Sequence, residues 1–298
     1  MKDIKILVVG DIMLDKYIVG DVSRISPEAP VPIVKVTERY STLGGCGNVV
    51  RNIAALGVQV YCAASITNDP EGTEVVQKLE EIGAIPILVW CSTITTVKER
   101  VIADQRKIQM LRIDREEVGD IYPEHLMNQI QTFLEDITFD IIVVSDYAKG
   151  MITKELMTFL HSLKIPIIVD PKPKNGGLYG LVTMITPNKE EWLEMQLWLG
   201  KSEFVLVTEG RDGMTLYDNR QGWAKTKIKG EPVDVYNVSG AGDTVVAIMA
   251  ICLALDIYPD KAARIANDCA AYVVTQVGTS VVSKNIFQRS MNRFNVRM

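Results

Sequence analysis

Histidine is nearly absent from this 298-residue chain, which has only His125 and His161, and its five cysteines include no C-x-x-C pair. Both facts argue against a Cys/His zinc site. Cys46, Cys62, Cys91, Cys252 and Cys269 are odd in number and widely spaced, as expected of small buried apolar residues in a reducing cytosol. No charge-free run reaches the roughly 20 residues needed to span a bilayer. The N-terminal Met1-Lys2-Asp3-Ile4 meets an acid too soon for a signal peptide. Positive charge is not in excess either: 32 Lys and Arg stand against 37 Asp and Glu, a net charge of −5. Such a chain has no electrostatic footprint for nucleic acid or an anionic membrane. It also lacks G-x-x-x-x-G-K-[ST], a G-x-G-x-x-G after a strand, and G-x-S-x-G. No internal repeat or low-complexity tract occurs. These absences predict a soluble, cytoplasmic protein with neither nucleic acid nor membrane as partner.

What is present is globular. Hydrophobic residues make up 47% and charged residues 23%, enough for one large domain over residues 1–298 and too little for two full enzyme domains. Nearly continuous apolar runs at Ile4–Val9, Val58–Ala63, Ile141–Val144, Ile165–Val169, Val182–Ile185 and Phe204–Val207 read as buried strands. Between them Asn48–Leu56, Glu71–Ile82, Glu124–Glu135, Lys154–Leu163 and Asn188–Leu197 have helical length and pattern. The alternation predicts an α/β fold, a doubly wound and mainly parallel sheet flanked by helices, with ligands at the carboxyl ends of its strands. Residues 12–36 and 92–114 break the rhythm and read as short strands, and Pro27, Pro30 and Pro32 forbid a helix in the first. The two insertions are expected to form one small β-sheet lid, although two unrelated surface hairpins would have the same pattern. After Asp234 only helices are expected: Gly240–Leu255, Pro259–Gln276 and Ser283–Arg293.

The sharpest motif is Val238-Ser239-Gly240-Ala241-Gly242-Asp243-Thr244, leading into Val245–Leu255 without a charge. A helix apolar on all sides is buried, so its N-terminal N–H groups need partners inside the protein. Glycines let a ligand approach the backbone, and free N–H groups with the helix dipole favour a phosphate. Asp243 in that first turn can reach a hydroxyl beside the phosphate; the plainer alternative is that Ser239 or Asp243 only caps the helix. Gly44-Gly45-Cys46-Gly47-Asn48 again places glycines before a helix. Asn48 is suited to sugar hydroxyls because its amide both donates and accepts, or it is a cap. Asp15 is suited to accept from a hydroxyl, or it is a solvated charge. Asn188 and Glu191 lie three apart on one helical face after a strand, which also fits a capping box.

Gly44–Asn48 with Asn52-Ile53-Ala54-Ala55-Leu56-Gly57, together with Ser239–Thr244, resemble the two signatures of the ribokinase-like (phosphofructokinase-B) sugar kinases, in the same order and at a similar separation. The resemblance covers essentially the whole chain. It implies ATP and Mg²⁺, Asp243 as catalytic base and an anion hole from the Gly240, Ala241 and Gly242 backbone. It further implies sugar binding by Asp15, Gly44, Gly45 and Asn48. Asn188 and Glu191 match an N-x-x-E element that organises Mg²⁺ indirectly. Asn188, Thr208, Gly210, Ser239, Asn267 and Gly278 match positions around the nucleotide. Family lids often pair into homodimers.

One branch fits better still. Gly10–Asp15, Ser23–Pro32, Ser145-Asp146-Tyr147-Ala148-Lys149-Gly150 and Asp170-Pro171-Lys172 are similar to the kinase domain of heptose 7-phosphate kinases, as are Lys98, Arg100, Gln109, Arg112 and Asp114. That branch phosphorylates D-glycero-β-D-manno-heptose 7-phosphate at its anomeric oxygen, on the way to ADP-heptose for lipopolysaccharide. A substrate that already carries phosphate needs cations, and Arg24, Lys98, Arg100, Lys149, Lys172 and Lys174 stand near the expected loops and lid. A kinase for ribose, fructose or a keto-deoxy sugar acid, or a non-catalytic sensor on the same fold, are the alternatives. Three departures from the family pattern stand out. Asn237 replaces the usual Asp and Ser239 replaces Thr, which leaves monovalent-cation activation open. The stretch from Asn188 to Val207 is short. The sequence also contains no H-x-G-H element, which bifunctional relatives carry in a C-terminal nucleotidyltransferase domain, so a single-function kinase or an isolated domain is expected.

Overall fold

In the first strand, Lys5–Gly10, five consecutive residues are buried, as happens when both faces of a sheet are covered by helices. The computed structural model describes residues 3–91, 94–104, 108–117, 123–195, 199–234, 238–276 and 280–296. The chain runs β1 (Lys5–Gly10), β2 (Ile12–Ile25), β3 (Pro32–Gly45), α1 (Cys46–Ala55), β4 (Gln59–Ile66), α2 (Pro70–Glu81) and β5 (Ile85–Trp90). It continues through β6 (Val97–Ala103), β7 (Ile108–Arg115), α3 (Pro123–Asp136), β8 (Ile141–Ser145), α4 (Lys154–Ser162) and β9 (Ile167–Asp170). Then come β10 (Val182–Ile185), α5 (Lys189–Glu194), β11 (Ser202–Thr208), β12 (Gly213–Asp218), β13 (Ala224–Lys229), α6 (Ala241–Ala254), α7 (Pro259–Val273) and α8 (Lys284–Arg293).

The large sheet has the order β13-β12-β11-β10-β9-β8-β1-β4-β5. It is parallel from β5 to β11, with β12 and β13 added antiparallel at one edge. Side chains alternate between two cores. Ile6 and Val8 of β1 face α1, α2, α6, α7 and α8, while Leu7 and Val9 face α3 and α4. This is the doubly wound, mainly parallel arrangement that the alternating pattern implies. Because β1 lies between β4 and β8, the chain leaves it in opposite directions, and the crevice outside its carboxyl end is where such folds bind ligands. Among the described residues no helix is long and apolar enough to cross a membrane.

A second sheet, β3-β2-β6-β7, is drawn from the two stretches that break the strand–helix rhythm. β2 pairs antiparallel with β3 and parallel with β6, and β6 pairs antiparallel with β7. Its base is pinned to α2: Glu71 accepts from Arg115 at 2.7 Å and from Lys16 at 3.1 Å. Those two cations hold the Glu71 carboxyl down at about 2.

Several expected boundaries are corrected. β3 runs to Gly45, well past residue 36, so Gly44 and Gly45 close a strand rather than form a turn, and α1 starts at Cys46. The helix expected over Asn188–Leu197 spans only Lys189–Glu194, with Asn188 as its cap; residues 196–198 lie outside the described residues. β5, β12 and β13 were not expected. β13 is mostly exposed and interleaves lysines with other residues, so it lacks the apolar run that marks a central strand.

Gly45 joins β3 to α1. It has φ +59°, and an added Cβ would stand 2.3 Å from the Asp11 carbonyl oxygen. Gly83 has φ +73° but open space around it. Gly45→Ala is expected to cost about 2–5 kcal/mol in urea unfolding, from a left-handed penalty of about 1–2 and overpacking of about 1–3. Gly83→Ala should cost only the first part. Equal losses would show that the close approach to Asp11 contributes nothing.

Candidate active site

Gly240, at φ +82°, turns the chain into α6, whose residues from Asp243 to Cys252 are all buried. The body of the helix is inside the protein, but its first residues open onto a crevice: Gly240 and Ala241 are half-buried and Gly242 is exposed, so their backbone is within reach of a ligand. An added Cβ at Gly242 would meet nothing within 4 Å. Two cavities meet at this point. One, of about 450 Å³, is lined by Thr208, Gly210, Val238, Val245 and Asn267, among others. The other, of about 170 Å³, is lined by Tyr147, Asp170, Lys172, Glu191, Gly240 and Asp243. Asn188, Thr208 and Gly242 border both. Asn267 donates its side-chain amide to the Lys229 carbonyl at 3.0 Å, and Ser239, half-buried, precedes the turn.

Asp243 is only 7% exposed and holds a donor on each carboxylate oxygen. Asn48 Nδ2 donates to Oδ2 at 2.7 Å, and the Tyr147 hydroxyl donates to Oδ1 at 2.9 Å. Arg51 Nη1 donates to Asn48 Oδ1 at 3.1 Å and so fixes which end of that amide faces Asp243. Below them Asn52 donates to the Asn48 carbonyl and accepts from Thr244, which ties α1 to α6. Burial raises the Asp243 carboxyl and the charge of Asp15 adds to that, while the two hydrogen bonds and Lys172 oppose it. Asp170, at the end of β9, is pushed well above the usual carboxylate range by burial and by Asp243.

The small sheet supplies a second set of groups. Asp15 on β2 accepts from Arg100 Nη1 on β6 at 2.5 Å. A Cβ at Gly44 would stand 2.4 Å from Asp15 Oδ2, so only glycine leaves this carboxylate its place. Lys98 Nζ lies 5.9 Å from the centre of the Tyr147 ring, and Lys172 Nζ lies 5.6 Å from it. Burial and the neighbouring Lys149 lower the Lys98 ammonium, a conflict that a bound anion would relieve. Lys149 is paired with Glu116 at 2.7 Å.

Asn188 and Glu191 form the capping box that their spacing allows. Asn188 Oδ1 accepts from the backbone N–H groups of Glu190 and Glu191, and Glu191 Oε2 accepts from the Asn188 N–H. Glu191 Oε1 also accepts from Lys172 Nζ at 2.5 Å, so this cap faces the smaller cavity.

The residues expected from sequence are thus largely brought together: Asp243, Gly240, Ala241, Gly242, Asn48, Gly44, Gly45, Asp15, Arg100, Lys98, Lys149, Lys172, Asn188, Glu191, Thr208, Gly210 and Asn267. Arg24 is not. It is exposed on β2 opposite Ile33, nine residues beyond Asp15, or about 30 Å at the usual strand rise. Lys174 is likewise exposed. Gly278, Thr279 and Asn237 lie outside the described residues. Tyr147 and Asp170 enter the sequence reading only as members of branch-like stretches, without a role of their own, and Arg51 does not enter it. Tyr147 and Asp170 sit at or just past strand carboxyl ends, which was the available signal; Arg51 had none.

The family description "pfkB family carbohydrate kinase" matches residues 3–285. Curated relatives named "Bifunctional protein HldE" are 36% identical in Bradyrhizobium diazoefficiens, over 96% of this chain and 62% of that protein. In Desulfatibacillum aliphaticivorans the relative of that name is 38% identical, over 94% of this chain and 61% of that protein. The chain therefore spans about three-fifths of the length of these curated relatives. Phosphofructokinase-2 from Escherichia coli superposes with a TM-score of 0.80 at 20% identity, covering 99% of this chain and 100% of that one. A microbiome-derived acarbose kinase superposes with a TM-score of 0.76 at 18% identity, covering 98% and 100%. These two structures establish the fold.

Gly242→Ala tests whether the open space is a ligand site. Alanine favours a helix over glycine by up to ~1 kcal/mol, so the melting temperature should hold or rise. Calorimetric binding of a non-hydrolysable ATP analogue should weaken at least about tenfold, the equivalent of roughly 1.4 kcal/mol. Unchanged affinity would place the phosphates elsewhere.

Proposed function

The chain belongs to the pfkB family of carbohydrate kinases, and we propose that it transfers the γ-phosphoryl group of ATP to the anomeric hydroxyl of D-glycero-β-D-manno-heptose 7-phosphate, giving the 1,7-bisphosphate for ADP-heptose and lipopolysaccharide core synthesis. The observation that carries the kinase reading is a buried carboxylate, Asp243, in the first turn of a buried helix beside open space at Gly242. The heptose reading is supported by the branch-like stretches in the sequence and by the relatives named HldE. The phosphate reading is supported by Lys98, Lys149 and Lys172, which gather around Tyr147, with Arg100 beside them on Asp15.

In this mechanism Asp15 and Asn48 orient the sugar, and Asp243 takes the proton of the attacking hydroxyl. That oxygen displaces ADP in line at the γ-phosphorus. The Gly240–Gly242 amides at the helix end stabilise the charge on the phosphoryl oxygens. The small sheet acts as a lid that excludes water. Mg²⁺ bound with ATP would supply neutralisation of phosphate charge. Glu191 and Asn188 would organise it indirectly. With ATP and a sugar phosphate as substrates, the cytoplasm is the proposed location.

Turnover of a panel of sugars tests the assignment. Heptose 7-phosphate should have a far higher kcat/KM than its dephosphorylated form; comparable values would leave only a sugar kinase, and no ADP from any sugar would favour a sensor. On the same preparation Asp243→Asn should keep its fold and substrate affinity while kcat falls ~10²–10⁴-fold, the usual effect of losing a general base. A folded variant within threefold of the parent, roughly 0.7 kcal/mol, removes Asp243 as base.

We further propose that the lid pairs two copies of the chain. On the face opposite Asp15, Ile18, Val101 and Leu111 lie in register across three strands, with Leu111 55% exposed and Ile113 beside it 43% exposed. Exposed apolar residues in such a row are candidates for burial by a partner. Light scattering should give a dimer for the parent and a monomer for Leu111→Asp; a monomeric parent refutes the pairing.

A further inference from the structure

The loop after β8 is held far more tightly than a connection needs. Asp11, buried at the end of β1, accepts from the backbone N–H groups of Tyr147 at 2.7 Å, Lys149 at 3.2 Å and Met151 at 3.1 Å. Asp146, fully buried, accepts from Ala148 N–H at 2.6 Å, the Tyr179 hydroxyl at 2.6 Å and Asn175 Nδ2 at 2.8 Å. These bonds hold Ala148 at φ +55°, a conformation that non-glycine residues adopt at a cost of roughly 1–2 kcal/mol. Two buried carboxylates thus fix one short loop, and the side chain that loop delivers to the site is Tyr147. Its hydroxyl donates to Asp243 Oδ1, and its ring lies within 6 Å of Lys98 from the small sheet and of Lys172 from the core.

We propose that Tyr147 is a positioning residue for phosphoryl transfer: its hydroxyl keeps Asp243 ionised and aimed as the base. The inference rests on the reading of Asp243 as base. The groups facing Asp243 leave its charge in need of such a donor. Asp15 from β2 and Asp170 from the end of β9 repel it, and Cys46 of α1 stands close. Lys172 and the half-buried Arg51 of α1 attract it. Burial disfavours the charged form, and a protonated Asp243 has no capacity to take the proton of the acceptor hydroxyl. Asn48 holds Oδ2, and Tyr147 is the donor on Oδ1. The proton count is simple: the sugar hydroxyl loses its proton to Asp243, the new O–P bond forms as the bond to ADP breaks, and Tyr147 keeps its own proton throughout. Burial and the charge of Asp243 push the phenol well above its ordinary value, which suits a permanent donor.

The test is the pH profile of kcat at saturating MgATP and sugar. Activity falls as pH drops through the pKa of the base, because only its ionised form takes the proton. Tyr147→Phe removes the hydroxyl and keeps the ring. Losing a donor to the charged form raises a carboxyl pKa, so the acidic limb should move up by about one pH unit. That lowers kcat about tenfold on the limb, with recovery at higher pH and an unchanged sugar KM. A uniform loss of kcat across pH, or a higher KM with an unmoved limb, overturns the proposal and leaves Tyr147 as packing. If Tyr147→Phe does not fold, 3-fluorotyrosine at position 147 keeps the shape and donates more strongly. The limb should then move down, and an unmoved limb again overturns the proposal. Asp243→Asn separates the two readings: full activity in that variant defeats the base itself, whereas an inactive Asp243→Asn with an unmoved Tyr147→Phe limb defeats only the role of Tyr147.

Discussion

The structure depends on one buried carboxylate at the start of one buried helix. An ionised side chain taken out of water is tolerated only with hydrogen-bonding partners, and a single bond to a charged group contributes about 1.5–3 kcal/mol. Asp243 draws those partners from two other elements, Asn48 from α1 and Tyr147 from the loop after β8. Each partner is itself held, Asn48 by Arg51 and the Tyr147 backbone by Asp11. The buried apolar α6 makes this necessary: its apolar flanks press it into the core and take Asp243 with it, while Gly240 to Gly242 stay at the open crevice.

The same constraint explains the traffic of charge around the crevice. Asp15, Asp170 and Asp243 approach one another at the strand ends, and the cations answer them across the gap between the sheets. Arg100 pairs with Asp15, Lys172 with Glu191, and Lys98 and Lys172 both lie within 6 Å of the centre of the Tyr147 ring. Lys98 is lowered by burial and by Lys149, against the pull of Asp114 and Glu116. Capping and function do not compete at Asn188 and Glu191. The capping box orients Glu191 toward Lys172 and the cavity, so the local helix start also positions the carboxylate.

Sequence alone decided the features that depend on neighbours along the chain. Alternating apolar runs and helical periods define a parallel sheet covered on both faces, and the charge-free Val245–Leu255 implies a helix with no solvent side. Glycines ahead of two helices imply places where a ligand has room to approach the backbone. Boundaries are least legible where local pattern is weak: the mostly exposed β13, the strand end at Gly44-Gly45, and the short α5, stopped at Met195 after six residues. The pairings that give the site its chemistry required the tertiary structure. Tyr147 and Asp243 are 96 residues apart, Asn48 and Asp243 are 195 apart, and Arg100 and Asp15 are 85 apart. No spacing rule connects such residues, because strand order and the fold of the small sheet bring them together. For the same reason Arg24, which resembles its neighbours in charge and motif, stands at the far end of a 14-residue strand while Lys98 reaches the crevice.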